Sequence, residues 1–190
     1  MDRMKTDLPT RRLIITGGPG TGKSTLLAHL KQRGFSVFEE VSRRLIQAQR
    51  QQPNPALPWD NLPRFAELCL EQMMIQHTKA QPQRINFYDR AIPDIIAYLR
   101  NGEEAIPSVY EQVLQQKAYE KQVFFAPPWP QIYINDQERP QRYEESLRIS
   151  ALLTETYEQL GFQLITLPKA SCEARVKFVI EKLAMDEGSI

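Results

Sequence analysis

The stretch from residue 13 to residue 25, LIITGGPGTGKST, constrains this chain more than any other. Residues 17–24 match the pattern G-x-x-x-x-G-K-[ST]. The apolar run Leu13–Ile15 predicts a buried strand, and the apolar spacing from Leu26 to Leu30 predicts a helix. A glycine-rich loop between a strand and a helix is the context in which this pattern binds nucleotide phosphates. The alternative is a glycine-rich turn that contains Lys and Ser by chance, and such a turn would have no reason to lie between a strand and a helix.

The chemistry of such a phosphate-binding loop (P-loop) assigns a role to each part. Glycines let backbone N–H groups converge on phosphate oxygens, and the amino end of the next helix favours an anion. Lys23 is expected to reach the β- and γ-phosphates, and the Ser24 hydroxyl to ligate Mg²⁺. The predicted nucleotide-binding residues are Gly17, Gly18, Pro19, Gly20, Thr21, Gly22, Lys23, Ser24 and Thr25.

Composition indicates one globular domain. The chain has 190 residues, of which 42% are hydrophobic, which suits a single domain with a substantial core. A net charge of +1 gives no reason to expect a nucleic-acid partner, and no apolar run is long enough to span a bilayer. The two cysteines, Cys69 and Cys172, are far apart and predict free buried thiols in a reducing compartment, hence a cytoplasmic protein. Residues 1–11 are expected to be a flexible tail, and residues 12–185 to form the domain.

Five short apolar segments alternate with helical periodicities along the chain. This alternation predicts an α/β fold of three layers, α/β/α, in which helices cover both faces of a five-stranded parallel sheet. The predicted strands are Leu13–Ile15, Phe35–Phe38, Ile85–Tyr88, Val123–Phe125 and Phe162–Leu167. A nucleobase is expected near Lys169–Ser171, in the loop after the last strand.

Four prolines between Gln52 and Pro63 predict a loop. Trp59 lies in this loop, where it either covers a substrate site or packs; we favour packing, because a lone Trp is a weak signal. The helix after the loop is predicted from Arg64 to Gln81. A shorter helix is predicted from Pro107 to Tyr119, with Val109 and Val113 facing inward.

Acidic residues follow two of the predicted strands. Glu39 and Glu40 come after the second strand, and Asp89 with Arg90 comes after the third. Ligands bind at the carboxyl ends of parallel strands, where an acid can hold Mg²⁺ and an arginine can clamp a phosphate. For Asp89 and Arg90 we favour these roles over an Asp helix cap with a surface Arg. For the glutamates, a site role and compensation of the helix dipole both stay open.

A charged segment, residues 135–145, leads into a helix lined by Ile149 and Leu153. Its arginines could belong to a lid that closes over the phosphates. The alternative is a solvated helix start whose charges pair locally.

Taken together, these motifs resemble a known family. From about Arg12 to Leu183 the chain is similar to the P-loop family that contains the ribosylnicotinamide kinase domain of NadR, an AAA-type ATPase domain, and more broadly to nucleoside and nucleotide kinases. The resemblance rests on Gly17–Thr25, Glu39-Glu40 with Arg43-Arg44, Leu57-Pro58-Trp59, Tyr88-Asp89-Arg90, and Pro127-Pro128-Trp129-Pro130 before 136–142.

The resemblance implies roles for individual residues. Glu40, in preference to Glu39, would activate the acceptor hydroxyl. Asp89 and Arg90 would be the acid–arginine pair of the third strand. The lid arginines would be Arg139 and Arg142, although Pro140 interrupts the lid pattern.

The expected function is that of a small-molecule kinase, in which Mg²⁺–ATP (or GTP) donates its γ-phosphoryl group to a nucleoside-like or other small hydroxyl. Lys23, Arg90 and a lid arginine would neutralise charge. Ser24 and Asp89 would hold Mg²⁺, and Glu40 would take the proton. The alternative is a nucleotide-dependent switch or binding module that hydrolyses ATP or GTP slowly and has no acceptor.

Overall fold

One parallel sheet organises residues 9–133 and 143–187, which the computed structural model describes. Its strands are β1 (Arg11–Thr16), β2 (Ser36–Phe38), β3 (Ile85–Asp89), β4 (Gln122–Phe125) and β5 (Gln163–Thr166). The spatial order is β2-β3-β1-β4-β5, and every pairing is parallel. The predicted five-stranded parallel sheet is confirmed, with β1 at its centre.

Helices cover both faces of this sheet. They are α1 (Lys23–Gln32), α2 (Val41–Gln49), α3 (Leu62–Thr78), α4 (Ile92–Asn101), α5 (Val109–Gln115), α6 (Tyr143–Gln159) and α7 (Cys172–Glu187), with a 3-10 turn at Pro130–Ile132. Leu13 and Ile15 pack with the apolar residues of α1 and α7, whereas Ile14 packs with those of α3 to α6. The alternation along β1 therefore builds two apolar layers, which confirms the three-layer architecture.

The boundary between the proline-rich loop and α3 differs from the prediction. Pro63 lies inside the helix, which begins at Leu62 and ends at Thr78, before the predicted end at Gln81. The helix can start early because the Asn61 side chain accepts a hydrogen bond from the Arg64 backbone N–H at 3.1 Å. Proline is tolerated in a first turn, where its missing N–H has no helical partner.

Helix α5 is shorter than predicted, since the prediction ran from Pro107 to Tyr119. Its buried face consists of Tyr110, Val113 and Leu114, at i, i+3 and i+4. Val109 falls on the outer side of that helix and is 43% exposed. The inward orientation predicted for Val113 is confirmed, and that predicted for Val109 is wrong.

The structure tests some of the remaining predictions from the sequence and leaves others untested. Arg11, the last residue of the predicted tail, is the first residue of β1. Both cysteines are free thiols; Cys69 is buried and Cys172 is half-buried. Within the described ranges, none of the helices combines the length and the apolar character needed to cross a membrane. The lid arginines Arg139 and Arg142 lie outside the described residues.

Candidate functional site

The P-loop, Gly17–Thr25, connects the central strand β1 to α1. Gly17 has φ 142° and Gly22 has φ 80°, both in the region that favours glycine. A Cβ atom at Gly17 would collide with the backbone carbonyl of Ala126, directly after β4. The loop therefore lies tightly against the carboxyl end of the neighbouring strand, and Gly17, Gly18 and Pro19 are buried there.

Lys23, the first residue of α1, folds back across this loop. Its Nζ donates hydrogen bonds to the carbonyl oxygens of Gly17 at 2.9 Å and Gly18 at 2.8 Å. The side chain is buried. The ammonium charge is thus held inside the loop, where the phosphates of a nucleotide are expected.

Asp89 ends β3 and lies beside Ile15 of β1 in the sheet register. Its Oδ1 is buried and accepts no hydrogen bond from the part of the chain that the structure describes. Burial, followed by the negative charge of Glu40, raises the pKa of Asp89 to about 6, although Lys23 and Arg90 oppose the shift. An unsatisfied buried carboxylate oxygen is costly, and a cation would satisfy it.

Ser24 and Asp89 line one cleft of about 690 Å³. A hydroxyl and a carboxylate are the oxygen ligands that Mg²⁺ prefers, so the residues present fit this ion. Among the described residues, no group of three or more His, Cys, Asp or Glu side chains is arranged to hold a metal.

The structure separates the two glutamates that follow β2. Glu40, just before α2, is largely buried, and its Oε1 accepts hydrogen bonds from Ser42 Oγ at 2.6 Å and Arg90 Nε at 3.2 Å. Glu39 is exposed, and its carboxylate lies 3.7 Å from Lys31 Nζ. The side chain that contacts another predicted site residue is therefore that of Glu40.

Arg90 is buried and has φ 71°, in the left-handed region. Besides Glu40, its guanidinium contacts the Gly17 carbonyl oxygen at 3.0 Å and Asp94 Oδ1 at 3.1 Å, both through Nη1. The alternative of a surface arginine is thus wrong. So is the alternative of an Asp89 helix cap, because Ala91 precedes α4 and its N–H bonds to Asp94.

Sequence reasoning missed a second buried arginine at this edge. Arg175, in the first turn of α7, donates from Nη1 to the Thr21 carbonyl and from Nε to the Pro168 carbonyl, both at 2.8 Å. Its guanidinium carbon lies 5.0 Å from the ring centre of Trp129. Arg175 therefore connects the P-loop to the loop after β5 through hydrogen bonds to both. No local pattern could have revealed this, since Thr21 and Arg175 are 154 positions apart.

A second cleft, of about 330 Å³, opens on the other side of Glu40. Its walls are mostly apolar and come from α2, the proline-rich loop, α3 and α4: Ile46, Pro58, Trp59, Leu62, Phe65, Ala66, Met73, Ile95 and Tyr98. Trp59 was predicted to pack in preference to covering a substrate site; the structure places it on the wall of this cleft, 53% exposed. The cleft is suited to the flat, apolar body of a small molecule.

The structure therefore gathers Lys23, Ser24, Glu40, Asp89 and Arg90 at one edge of the sheet. They lie at the carboxyl ends of β1, β2 and β3, where an open parallel sheet binds its ligands. The P-loop, a candidate metal site, a buried arginine and an apolar cleft adjoin one another there.

Comparisons with known proteins agree with this arrangement. A family model described as an AAA domain matches residues 12–175. A search of curated proteins returns no match.

Among solved structures, deoxyadenosine kinase from M. mycoides with bound dATP has a TM-score of 0.62 and 15% identity, covering 91% of this chain and 99% of that one. Thymidylate kinase from Candida albicans has a TM-score of 0.66 and 11% identity, covering 94% and 93%. The YorR protein from Bacillus subtilis, in complex with phosphorylated GDP, has a TM-score of 0.60 and 14% identity, covering 94% and 99%. At these identities the likeness shows that the chain has the fold of nucleoside and nucleotide kinases.

Proposed function

Since the chain belongs to the AAA domain family, whose model matches residues 12–175, we propose that it is a P-loop kinase of small molecules. It would transfer the γ-phosphoryl group of ATP to the hydroxyl of a nucleoside-like acceptor. One observation carries the proposal: Glu40 lines both the cleft that holds Ser24 and Asp89 and the apolar cleft. A carboxylate at that boundary can accept the proton of a hydroxyl in the apolar cleft while that hydroxyl attacks a phosphate on the other side.

The donor nucleotide binds along the P-loop. The backbone N–H groups of Gly17–Thr25, apart from Pro19, hold the phosphates, and Lys23 exchanges its carbonyl contacts for phosphate oxygens. When bound, Mg²⁺ would be held by Ser24 and Asp89 and would neutralise phosphate charge. The base would lie toward Lys169–Ser171, near the contact between Arg175 and Trp129.

Separate residues of the chain then have separate roles in the phosphoryl transfer. The acceptor oxygen attacks the γ-phosphorus, the bond to the β,γ-bridging oxygen breaks, and ADP leaves with that electron pair. Glu40 accepts the proton of the attacking hydroxyl. Lys23 and Arg90 stabilise the negative charge that spreads over the phosphoryl oxygens.

The apolar cleft takes the acceptor. Its aromatic walls, Phe65, Tyr98 and Trp59, suit a planar ring, and Glu40 at its edge faces the reacting hydroxyl. One structural neighbour, deoxyadenosine kinase, is named for a nucleoside. The resemblance to the ribosylnicotinamide kinase domain of NadR favours the same acceptor class.

A lid over the phosphates is part of the proposal. Arg139 and Arg142, in the segment 135–145, would supply further positive charge to the transferred group. Support comes from the residues directly after that segment, because Ser146 Oγ donates to the Pro19 carbonyl at 2.9 Å. The start of α6 therefore touches the P-loop. The two free, separated cysteines favour a cytoplasmic location.

A screen of hydroxyl acceptors tests this function. The purified protein is incubated with Mg²⁺–ATP and, one at a time, with nucleosides, nucleoside monophosphates and vitamin-like alcohols, and ADP release and phosphorylated product are measured. We expect at least one nucleoside-like acceptor to accelerate ADP release in proportion to a new phosphate ester. Slow hydrolysis that no acceptor changes would overturn the proposal in favour of a nucleotide-dependent switch.

A further inference from the structure

Asp94, in the first turn of α4, is a buried carboxylate on which four donors converge. Its Oδ1 accepts from Thr16 Oγ1 at 2.6 Å and Arg90 Nη1 at 3.1 Å. Its Oδ2 accepts from the Ala91 N–H at 2.9 Å and the Tyr157 hydroxyl at 2.5 Å. Asp94 is 2% exposed, so these donors, rather than water, stabilise its negative charge.

These donors come from three separate parts of the fold. Thr16 is the last residue of β1, immediately before the P-loop, and Arg90 follows β3. Tyr157 lies in α6, the helix that begins directly after the segment 134–142. One side chain thus connects the central strand, the buried arginine and the helix behind the proposed lid.

The connection continues from Arg90 to the reacting groups. The same Nη1 that contacts Asp94 also contacts the Gly17 carbonyl oxygen, and Nε contacts Glu40. Arg90 is attracted by several acids at once, because Asp89 and Glu40 are close to it as well as Asp94. Glu40 accepts from Nε and Asp94 accepts from Nη1, so the two carboxylates bind different nitrogens of the guanidinium.

We propose that Asp94 is a positioning residue, which together with Tyr157 holds the Arg90 guanidinium between the P-loop and Glu40. Asp94 also lines the apolar cleft, and the role proposed here is exerted through Arg90. Its kinetic consequence rests on the proposed kinase function, whereas its effect on Arg90 does not.

The chemistry of the site requires a carboxylate at this position. An asparagine would place its NH₂ group either against Arg90 Nη1 or against the Ala91 N–H, which are donors that cannot become acceptors. The hydroxyls of Thr16 and Tyr157 can rotate, but the guanidinium and the backbone N–H cannot reverse their role. Asp94→Asn therefore displaces either Arg90 or the start of α4.

Arg90 itself needs such support. Its backbone lies at φ 71°, in the left-handed region that non-glycine residues seldom adopt. Such conformations persist when the surroundings over-determine them, and they cluster at functional sites. Asp94 accepts hydrogen bonds from the Arg90 guanidinium and from the Ala91 N–H. It therefore holds Arg90 both through its side chain and through the next backbone group.

The experiment compares variants that remove one donor at a time. Tyr157→Phe and Thr16→Val each delete a hydroxyl that contacts Asp94. Neither substitution changes the identity of Arg90, Glu40 or a P-loop residue. Asp94→Asn removes the charge. Tyr110→Phe, in the buried face of α5, is the matched control, because it deletes a tyrosine hydroxyl away from both clefts.

Two measurements are made on each variant. The first is the ¹H–¹⁵N signal of the Arg90 Nε–H group and its exchange with water, which needs no acceptor. We expect a slowly exchanging signal in the wild type and in Tyr110→Phe, and faster exchange in Tyr157→Phe, Thr16→Val and Asp94→Asn. The second is kcat and KM with the acceptor found in the screen. Since small misplacements of catalytic groups cost up to about 10²-fold in rate, we expect kcat to fall about 10-fold in Tyr157→Phe and about 100-fold in Asp94→Asn, with KM for ATP nearly unchanged.

The outcomes separate the positioning role from a structural one. Folded Tyr157→Phe and Thr16→Val variants with an unchanged Arg90 signal would overturn the proposal, as would rate losses that only track the unfolded fraction measured by urea titration. If Asp94→Asn does not fold, the two hydroxyl variants decide. If no acceptor supports transfer, the proposed kinase function fails, and the exchange of the Arg90 Nε–H still decides whether Asp94 positions that side chain.

Discussion

Two clefts meet at Glu40, and they differ in the types of residue that line them. The larger, of about 690 Å³, contains mostly polar and charged side chains, which include Ser24, Lys31, Glu39, Arg44, Gln47 and Asp89. The smaller, of about 330 Å³, has walls that include Ile46, Leu62, Phe65, Met73, Ile95 and Tyr98. Glu40 and Arg43 line both clefts.

The difference teaches how one sheet edge can hold two unlike ligands. A hydrated ion and phosphates need charged, oxygen-rich walls, whereas the body of an organic acceptor gains from apolar ones. In the proposed reaction, the acceptor hydroxyl and the γ-phosphate meet where the clefts share a wall. Substitutions within one cleft should therefore leave the ligand of the other unaffected, and substitutions at the shared wall should affect the transfer itself.

The largest expected effect is that of Glu40→Gln, at the shared wall. Positioned proton transfer contributes about 10²–10⁴-fold to a rate, so acceptor-dependent turnover should fall by that range. Nucleotide affinity, measured by calorimetry, should stay near that of the wild type. Glu39→Gln is the matched control, because the Glu39 side chain is 69% exposed and does not line the acceptor cleft. Equal turnover in wild type and Glu40→Gln would place the base elsewhere.

Lys23→Ala should act only on the nucleotide. Charged hydrogen bonds are worth about 1.5–3 kcal/mol, so the dissociation constant of Mg²⁺–ATP should rise about 10–100-fold. Lys31→Ala removes an exposed ammonium that lines the larger cleft and serves as the control. Calorimetry measures both variants, and a similar loss in the two would indicate a general charge effect instead of a specific phosphate contact.

Asp89→Asn should stabilise the protein when neither metal nor nucleotide is bound. The pKa of Asp89 is raised from 3.8 to about 6 in the folded state, chiefly by burial. A raised carboxyl pKa contributes stability at low pH that is lost as the pH rises through about 6, because the buried group must then ionise. Asparagine stays neutral, so at pH 8 the variant should gain about 1–3 kcal/mol of unfolding free energy over the wild type.

Urea unfolding in a chelator at pH 5 and at pH 8 checks this prediction. The difference between Asp89→Asn and the wild type should be larger at pH 8. If the difference in unfolding free energy is the same at pH 5 and pH 8, ionisation of Asp89 does not destabilise the folded protein. The larger cleft would then not contain a strained buried carboxylate, and this prediction would be wrong.

The smallest effect is expected for Trp59→Ala, in the apolar cleft. Aromatic contacts contribute about 0.5–1.5 kcal/mol, so KM for the acceptor should rise about 2–10-fold, with nucleotide affinity unchanged. Ile75→Ala, which changes an exposed apolar residue of α3 outside the clefts, is the control. Steady-state kinetics with varied acceptor measure both. A weaker nucleotide affinity in Trp59→Ala would contradict the separation of the clefts.

Local patterns predicted most of the fold. The spacing of Ile92, Ile95, Ile96 and Leu99 predicts the helix that the structure has, and all four are buried. The pattern succeeds because these four residues belong to the buried core that α4 forms with Ile14 of β1 and with apolar residues of α3, α5 and α6. It failed at Val109, where the burial of a short helix depends on how its neighbours surround it.

The orientation of Trp59 could not be predicted either. Nothing in the spacing of a lone aromatic residue in a proline-rich loop says whether its ring meets the core or a cleft. The structure leaves it at the cleft, with the Arg50 guanidinium carbon 5.7 Å from the ring centre.

The sequence by itself determined the P-loop, because its pattern lies in consecutive residues between one strand and one helix. It also placed Glu40 and Asp89 at strand ends, since parallel strands share an edge. Only the tertiary structure decided that Glu40 rather than Glu39 contacts Arg90. Only the tertiary structure joined Asp94 to Tyr157, 63 positions away. Contacts of this kind depend on how separate elements pack, and a hydrogen bond between them leaves no period or spacing in the chain.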